Sequence, residues 1–228
     1  MNPSVLTVYK SPYPKKRLGK DFDGGYIVVD IPEVHYSLLL SGGIQNDISF
    51  EEDFIHLYSV NCYTFDGTIQ RLPKENKSLI FVKKNIGATN SEILTNLHDL
   101  LESHANLFIK MDIEGGEIPW IKSLKEDHLD KIDQLIMEFH FPFSTEKAVI
   151  FDILNKTHVL VHFHGNNYCG VRYHMGVVIP NVFECTYLHK KFFTGPLELN
   201  TERLPSQLDM RNIITKPEIM LNYWPFCS

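Results

Sequence analysis

The chain has 228 residues, 43% hydrophobic and 22% charged, and its 22 Lys and Arg against 28 Asp and Glu give a formal net charge of -6. Such a composition excludes a mainly disordered chain, and with basic runs only at Lys15–Arg17 and Lys83–Lys84 it argues against nucleic acid as a partner. No apolar run nears the roughly 18 residues of a membrane span, no leader-like apolar stretch opens the sequence, and Cys62, Cys169, Cys185 and Cys227, without a CxxC spacing, read as reduced thiols of a cytoplasmic protein.

In chain order, Arg17–Tyr26 mixes charge, glycine and an aromatic. It reads either as a Gly-rich hairpin or as a cap over a ligand, the second reading placing Arg17, Asp23 and Tyr26 at a substrate. Short β-branched and apolar runs predict strands at Tyr36–Leu40, Leu57–Phe65, Leu79–Lys83, Leu107–Met111, Gln134–Phe139, Val159–Phe163 and Phe183–Leu188. Apolar residues at spacings of three and four predict helices over Ser91–Ser103, Glu117–Lys125 and Ser144–Leu154, with Ser91 and Ser144 as caps. Pro119 is tolerable in the first turn of the second. Strands alternating with helices predict an α/β fold, a Rossmann-like, mostly parallel sheet with helices on both faces. The chain divides into a segment 1–35 that caps the site, a core 36–190 and a C-terminal extension 191–228, all within one domain.

Ligands of such sheets lie beyond the carboxyl ends of the strands, and polar residues and glycines concentrate there. Gly42-Gly43 after the first core strand lets a ligand approach the backbone, but the spacing matches neither GxGxxG nor a phosphate loop. Asp66, 24 residues beyond Gly42 and at the end of the next strand, is placed to accept both hydroxyls of a ribose. A nucleoside-bearing cofactor with no phosphate requirement fits the pair.

Lys110–Glu117 is the most distinctive stretch, because Asp112 ends an apolar strand directly. Glu138 and His140 close the next strand on one side of it. Asp112, Glu138 and His140 together suit a hard divalent cation or general-base work. His164 ends a later strand, and Asn166 and Asn167 follow with paired donors and acceptors, suited either to a hydroxyl-rich ligand or to an Asn-rich turn.

Taken together, Arg17–Tyr26, Ser41–Asp47, Phe65–Ile69, Lys110–Glu117, Glu138–His140 and His164–Asn167 resemble the FkbM-like branch of the class I methyltransferases that use S-adenosylmethionine. The resemblance spans residues 17 to about 190. It implies a seven-stranded sheet with the last strand antiparallel, and O-methylation of a sugar, a glycan or another hydroxyl-bearing metabolite. It also places Asp66 on the ribose, Asn85 and Ile86 beside the adenine, and Asp112, Glu138 and His140 around the methyl-transfer centre. Many class I enzymes carry an acid before a three-glycine loop. Here Ser41 stands before Gly42-Gly43, and Asp47 becomes the candidate for the amino-acid end of the cofactor. Mg²⁺ or Mn²⁺ held by Asp112, Glu138 and His140 would lower the pKa of an acceptor hydroxyl. A metal-dependent hydrolase and a non-catalytic carbohydrate-binding protein are the competing readings, since fold alone does not separate them.

Overall fold

The computed structural model describes residues 1–228. Seven strands form the central sheet: β1 Leu38–Gly42, β2 Cys62–Phe65, β3 Leu79–Val82, β4 Leu107–Met111, β5 Ile132–His140, β6 His158–Gly165 and β7 Val182–His189. Their spatial order is β3-β2-β1-β4-β5-β7-β6. The pairs from β3 through to β5 are parallel, whereas β7 is inserted antiparallel between β5 and β6. Strand order reverses between β1 and β4, which opens the crevice where open α/β sheets bind ligands.

The two faces of the sheet are covered differently. Leu107, Ile109 and Met111 of β4 join Leu135, Met137 and Phe139 of β5 in the larger core, which contains Trp120 and Ile121 of the helix Glu117–Ser123 and Ile150, Phe151 and Leu154 of the helix Thr145–Thr157. On the opposite face Phe108 and Ile136 pack with Phe50 and Phe54 of a single helix, Ser49–Tyr58. Helices on both faces were expected, but here one helix shares its face with a hairpin of Lys15–Leu18 and Tyr26–Val29. The side chains explain the choice. Alternation along β5 and β7 puts Gln134 and Thr186 on that face, buried and needing partners. Gln134 Oε1 accepts the Val29 N–H at 2.6 Å, its Nε2 donates to Val29 O at 3.2 Å, and Thr186 Oγ1 donates to Ile27 O at 2.6 Å. A helix has already paired its backbone within itself, while an extended strand has groups left to offer.

Some predicted elements shift. The run expected as strand Leu57–Phe65 is split: Leu57 and Tyr58 end the helix Ser49–Tyr58, Ser59 caps it in the left-handed region at φ 54°, and the strand begins at Cys62. Of the helix expected over Ser91–Ser103 only His98–Ser103 forms. Ser91 Oγ takes the N–H groups of Ile93 and Leu94, Asn90 takes that of Asn96, and Thr95 that of Leu97. Local polar side chains thereby compete with the helical ladder. The third helix runs three residues longer than expected, with Ser144 accepting the Lys147 N–H at 3.1 Å as its cap.

Residues 193–228 contain neither helix nor strand, yet they are tied in. Leu204, Leu221 and Phe226 belong to the main core, Val8 N–H donates to Pro225 O at 3.0 Å, and His162 Nε2 meets Asp209 Oδ1 at 2.8 Å. No helix is long and apolar enough to cross a membrane.

Candidate functional site

Two cavities open side by side at the carboxyl edge of the sheet. One, of about 310 Å³, is lined by Phe65, Asp66, Thr68, Asn85 and Ile86. The other, of about 330 Å³, lies under the hairpin and carries Asp23, Tyr26, Lys110, Glu138, His140 and Asn166. Gly43, Gln45, Asp112 and Glu114 line both, so they form the boundary between them. The boundary is tight. Gly43 sits at φ 75°, and a Cβ there would fall 1.6 Å from the Asp112 carbonyl oxygen, so only glycine lets the first loop close against the end of β4.

In the first cavity Asp66 is held from behind. Its Oδ2 accepts the Gln45 N–H at 2.8 Å, and its Oδ1 accepts the Thr68 N–H at 2.8 Å and the Thr68 hydroxyl at 2.5 Å. Burial pushes this carboxyl up, but those donors outweigh it and hold it below the ordinary range, so it is ionised. Asn85 Oδ1 accepts the Gly67 N–H at 2.9 Å, fixing its amide at the rim.

The second cavity holds the chemistry-bearing groups. Asp112 Oδ1 and Glu114 Oε2 lie 3.9 Å and 3.3 Å from His140 Nε2, and one ligand atom from each of the three lies within 4.8 Å of the others. On the far side of the ring Glu117 faces Nδ1 at 3.4 Å and accepts the His140 backbone N–H at 2.9 Å. Burial lowers the His140 pKa, but Glu117, Asp112 and Glu114 outweigh that and raise it. Tyr26 donates its hydroxyl to Asp112 Oδ2 at 3.2 Å. Glu138 lies deeper, where Asn166 Nδ2 donates to its Oε1 at 2.8 Å. Its burial, then the charges of Asp112 and Glu184, push its pKa well up. Glu138 thus lies beside Asp112, as expected, while Glu114 is the third group that clusters with Asp112 and His140.

Other expected site residues fall into two groups. Asp47 lines the second cavity rather than the first, paired with Lys20 at 3.1 Å and accepting the Ser49 N–H at the start of the helix. Arg17, His164 and Asn167, expected at the substrate, line neither cavity and are committed to the scaffold. Arg17 donates to the carbonyls of Lys20 and Phe22. His164 is buried between Glu184 at 3.6 Å and Glu218 at 3.5 Å. Asn167 grips the backbone of Ile213, Lys216 and Pro217. Gly42 also stays outside both cavities, packed on Ile86.

Sequence reasoning assigned no role to four further residues. Glu114 and Glu117 lie inside the Lys110–Glu117 stretch, where three acids so close together were the available signal. Lys110 is a buried ammonium whose Nζ donates to Gly43 O at 3.2 Å and lies 5.0 Å from the Tyr26 ring centre. Glu51, 1% exposed, accepts the Ser41 hydroxyl. A carboxylate thus reaches the residue before Gly42-Gly43 from the following helix, where none precedes it in sequence.

The chain was compared with known proteins. No curated protein matches it. Among solved structures it is similar to a point mutant of the 16S rRNA (adenine(1408)-N(1))-methyltransferase from Catenulisporales acidiphilia, at 11% identity and a TM-score of 0.34 over 75% of this chain and 97% of that one. The family model described as the methyltransferase FkbM domain matches residues 15–172, from the N-terminal hairpin through β6 and the loop beyond it. On that match, which takes in the first cavity, all of the second but Val182, and most of the chain, the protein belongs to the FkbM methyltransferase family.

Proposed function

We propose that the protein transfers a methyl group from S-adenosylmethionine to a hydroxyl of a sugar or glycan, with a divalent cation assisting. The observation that carries this reading is the boundary formed by Gly43, Gln45, Asp112 and Glu114. It divides a cavity holding one ionised aspartate from a cavity rich in acids with a histidine, the two compartments that a nucleoside donor and a polyol acceptor require. The residues suit that donor: Asp66 has carboxylate lone pairs beyond its backbone partners for ribose hydroxyls, Ile86 and Phe65 offer apolar surface to a base, and Gly43 lets the first loop close against the end of β4. Bound there, S-adenosylmethionine would supply an electrophilic methyl on a sulfonium.

The protein's part is alignment and proton removal. Asp112, at the boundary, orients the acceptor hydroxyl, and Tyr26 holds its carboxylate in place. His140 with Glu117 behind it has the arrangement of a positioned base or of a metal-ligating imidazole with a carboxylate partner. Both roles need Nε2 free of its proton, and what favours the second is the pair of carboxylates, Asp112 and Glu114, gathered beside that nitrogen. Asp112, Glu114 and His140 would hold Mg²⁺ or Mn²⁺, oxygen-rich donors suiting hard cations, and the ion would lower the pKa of the acceptor hydroxyl.

The test is titration with S-adenosylmethionine, followed by methyl transfer from labelled cofactor to a panel of sugars, before and after EDTA. Cofactor binding, labelled sugar, and turnover lost to EDTA and restored by Mn²⁺ are expected. A protein that binds no cofactor refutes the reading. One fully active after exhaustive chelation refutes the cation and leaves His140 as a metal-free base.

A further inference from the structure

Two aromatic rings at the mouth of the second cavity stand largely outside the packed core. Phe141 is 47% exposed and Tyr168 63% exposed, yet both line a cavity whose other walls are mostly polar or charged. Phe141 follows His140 directly and sits at φ 49°, a left-handed conformation that costs a bulky L-residue free energy. Burial does not repay that cost here, since nearly half the ring faces solvent. Strain of this kind persists where a side chain must be delivered to a particular place.

Both rings are held on pinned backbone. Asn181, in the turn entering β7, accepts the Phe141 N–H at 3.0 Å, donates its own N–H to Gly170 O at 2.9 Å, and donates from Nδ2 to Cys169 O at 3.0 Å. One residue therefore ties the loop after β5 to the loop after β6. Lys216 fixes Tyr168 from behind, its Nζ donating to the Tyr168 carbonyl at 2.6 Å and lying 4.8 Å from the ring centre. The rim is built.

We propose that Phe141 and Tyr168 form an aromatic rest for the C–H face of a pyranose ring, whose hydroxyls then point inward to Asp112, Asn166 and His140. This rests on the reading of the site as one acting on a sugar hydroxyl. The negative face of an aromatic ring attracts the weakly positive C–H groups of a sugar face. A nucleobase would also stack, but five carboxylates besides the deeper Glu138 line the cavity, Asp23, Asp47, Glu51, Asp112 and Glu114, against Lys20, Lys110 and His140. That excess repels phosphate and favours an uncharged or amino-bearing pyranose over a nucleotide or an RNA strand.

Saturation-transfer NMR with methyl gluco-, manno- and galactopyranosides, with S-adenosylmethionine present, reads the contact directly. Binding of at least one pyranoside through ring C–H protons is expected. It should weaken about three- to tenfold in Phe141→Gly and in Tyr168→Ala, the range for losing one stacked ring, and persist in Tyr168→Phe. Phe141→Gly relieves the left-handed backbone, so it should melt no lower than wild type while losing the sugar. A variant melting well below wild type would make the ring a packing element and overturn the proposal. So would wild-type affinity in both ring-removing variants, absence of binding by all three sugars, or tighter binding of a short RNA lost in the same variants. A protein that holds pyranosides through these rings but does not bind S-adenosylmethionine would refute the preceding proposal and keep this one.

Discussion

The cavity around Asp66 is made from the short loops that follow β1, β2, β3 and β4, and its polar groups are held by residues of those same loops, as Thr68 and Gln45 hold Asp66 and Gly67 holds Asn85. The cavity around His140 gathers the hairpin, the helix Ser49–Tyr58, the ends of β4 and β5 and the loop after β6, and its walls lean on partners far along the chain. Asn212 reaches both Asp23 and Glu184, and Asn166 reaches Glu138. One side is a local construction repeated at successive strand ends. The other is a convergence that forms only when the whole chain is in place, so damage to distant residues should reach it first.

The sharpest break is at His140. His140→Ala should lower kcat roughly 10²–10⁴-fold, the span for a group that moves or positions the reacting proton, while affinity for S-adenosylmethionine changes little. Titration and melting on the same preparation decide it, since a joint loss of binding and stability would make the histidine structural. Next comes the latch of the distant segment. His162 and Asp209 have side chains 3% and 1% exposed, and removing one partner of a buried pair costs about 3–5 kcal/mol. Asp209→Ala should lower the melting temperature and acceptor turnover, and any protein that remains folded should bind cofactor as before. Equal damage to both cavities would erase the contrast.

Asp66→Ala tests the local side. Losing charge-assisted bonds to two hydroxyls should weaken cofactor affinity by about 1.5–3 kcal/mol without altering the binding of sugar, both readable by calorimetry. The smallest effect is a pH dependence confined to the convergent side. Burial lowers the His164 pKa, but Glu184 and Glu218 on either side of it, and Asp209, outweigh this and raise it well above the ordinary value. A raised histidine stabilises fully below about pH 6.5, and that contribution is lost as pH rises through its folded value. Asp209 runs the other way: burial raises it, His162 and His164 outweigh that and hold it low, so its contribution is lost below about pH 4. Melting temperature should therefore fall on both flanks. His164→Gln should flatten the alkaline one, and an unchanged alkaline slope would remove His164 from the latch.

The local side was the more legible one. Gly43, Asp66 and Ile86 stand where strand ends deliver them, and apolar runs locate strand ends well: β4 is Leu107–Met111 as read, and β5 and β7 are the expected runs extended by one or two residues. His140 and Asp112 came from the same logic. On the convergent side Asp23, Tyr26, Asp112, Glu138, His140 and Asn166 were legible but the long-range partners were not, because nothing near Asn167 in sequence says that its amide will be taken by Ile213 and Lys216. His162 and His164 alternate in an apolar strand in a way that invites a ligand, and their partners turn out to be Asp209, Glu184 and Glu218. The missing helix Ser49–Tyr58 hid for a different reason. Phe50, Phe54 and Tyr58 keep a helical spacing on its packed face, but its last residues, Leu57 and Tyr58, run on into the apolar stretch that leads to the strand at Cys62 and read with it.

The threading of residues 209–218 against β6 has a consequence for how the protein is made. The lining of the Asp66 cavity is complete once Gly116 has left the ribosome, so that side can assemble on the nascent chain, early domains and local contacts forming as they emerge. The histidines of β6 emerge long before Asp209 and Glu218, and until then the sheet carries polar groups with nothing to answer them. The His140 side is thus the last part of the molecule to close, because the buried histidines behind it wait on residues 209–218 for their partners.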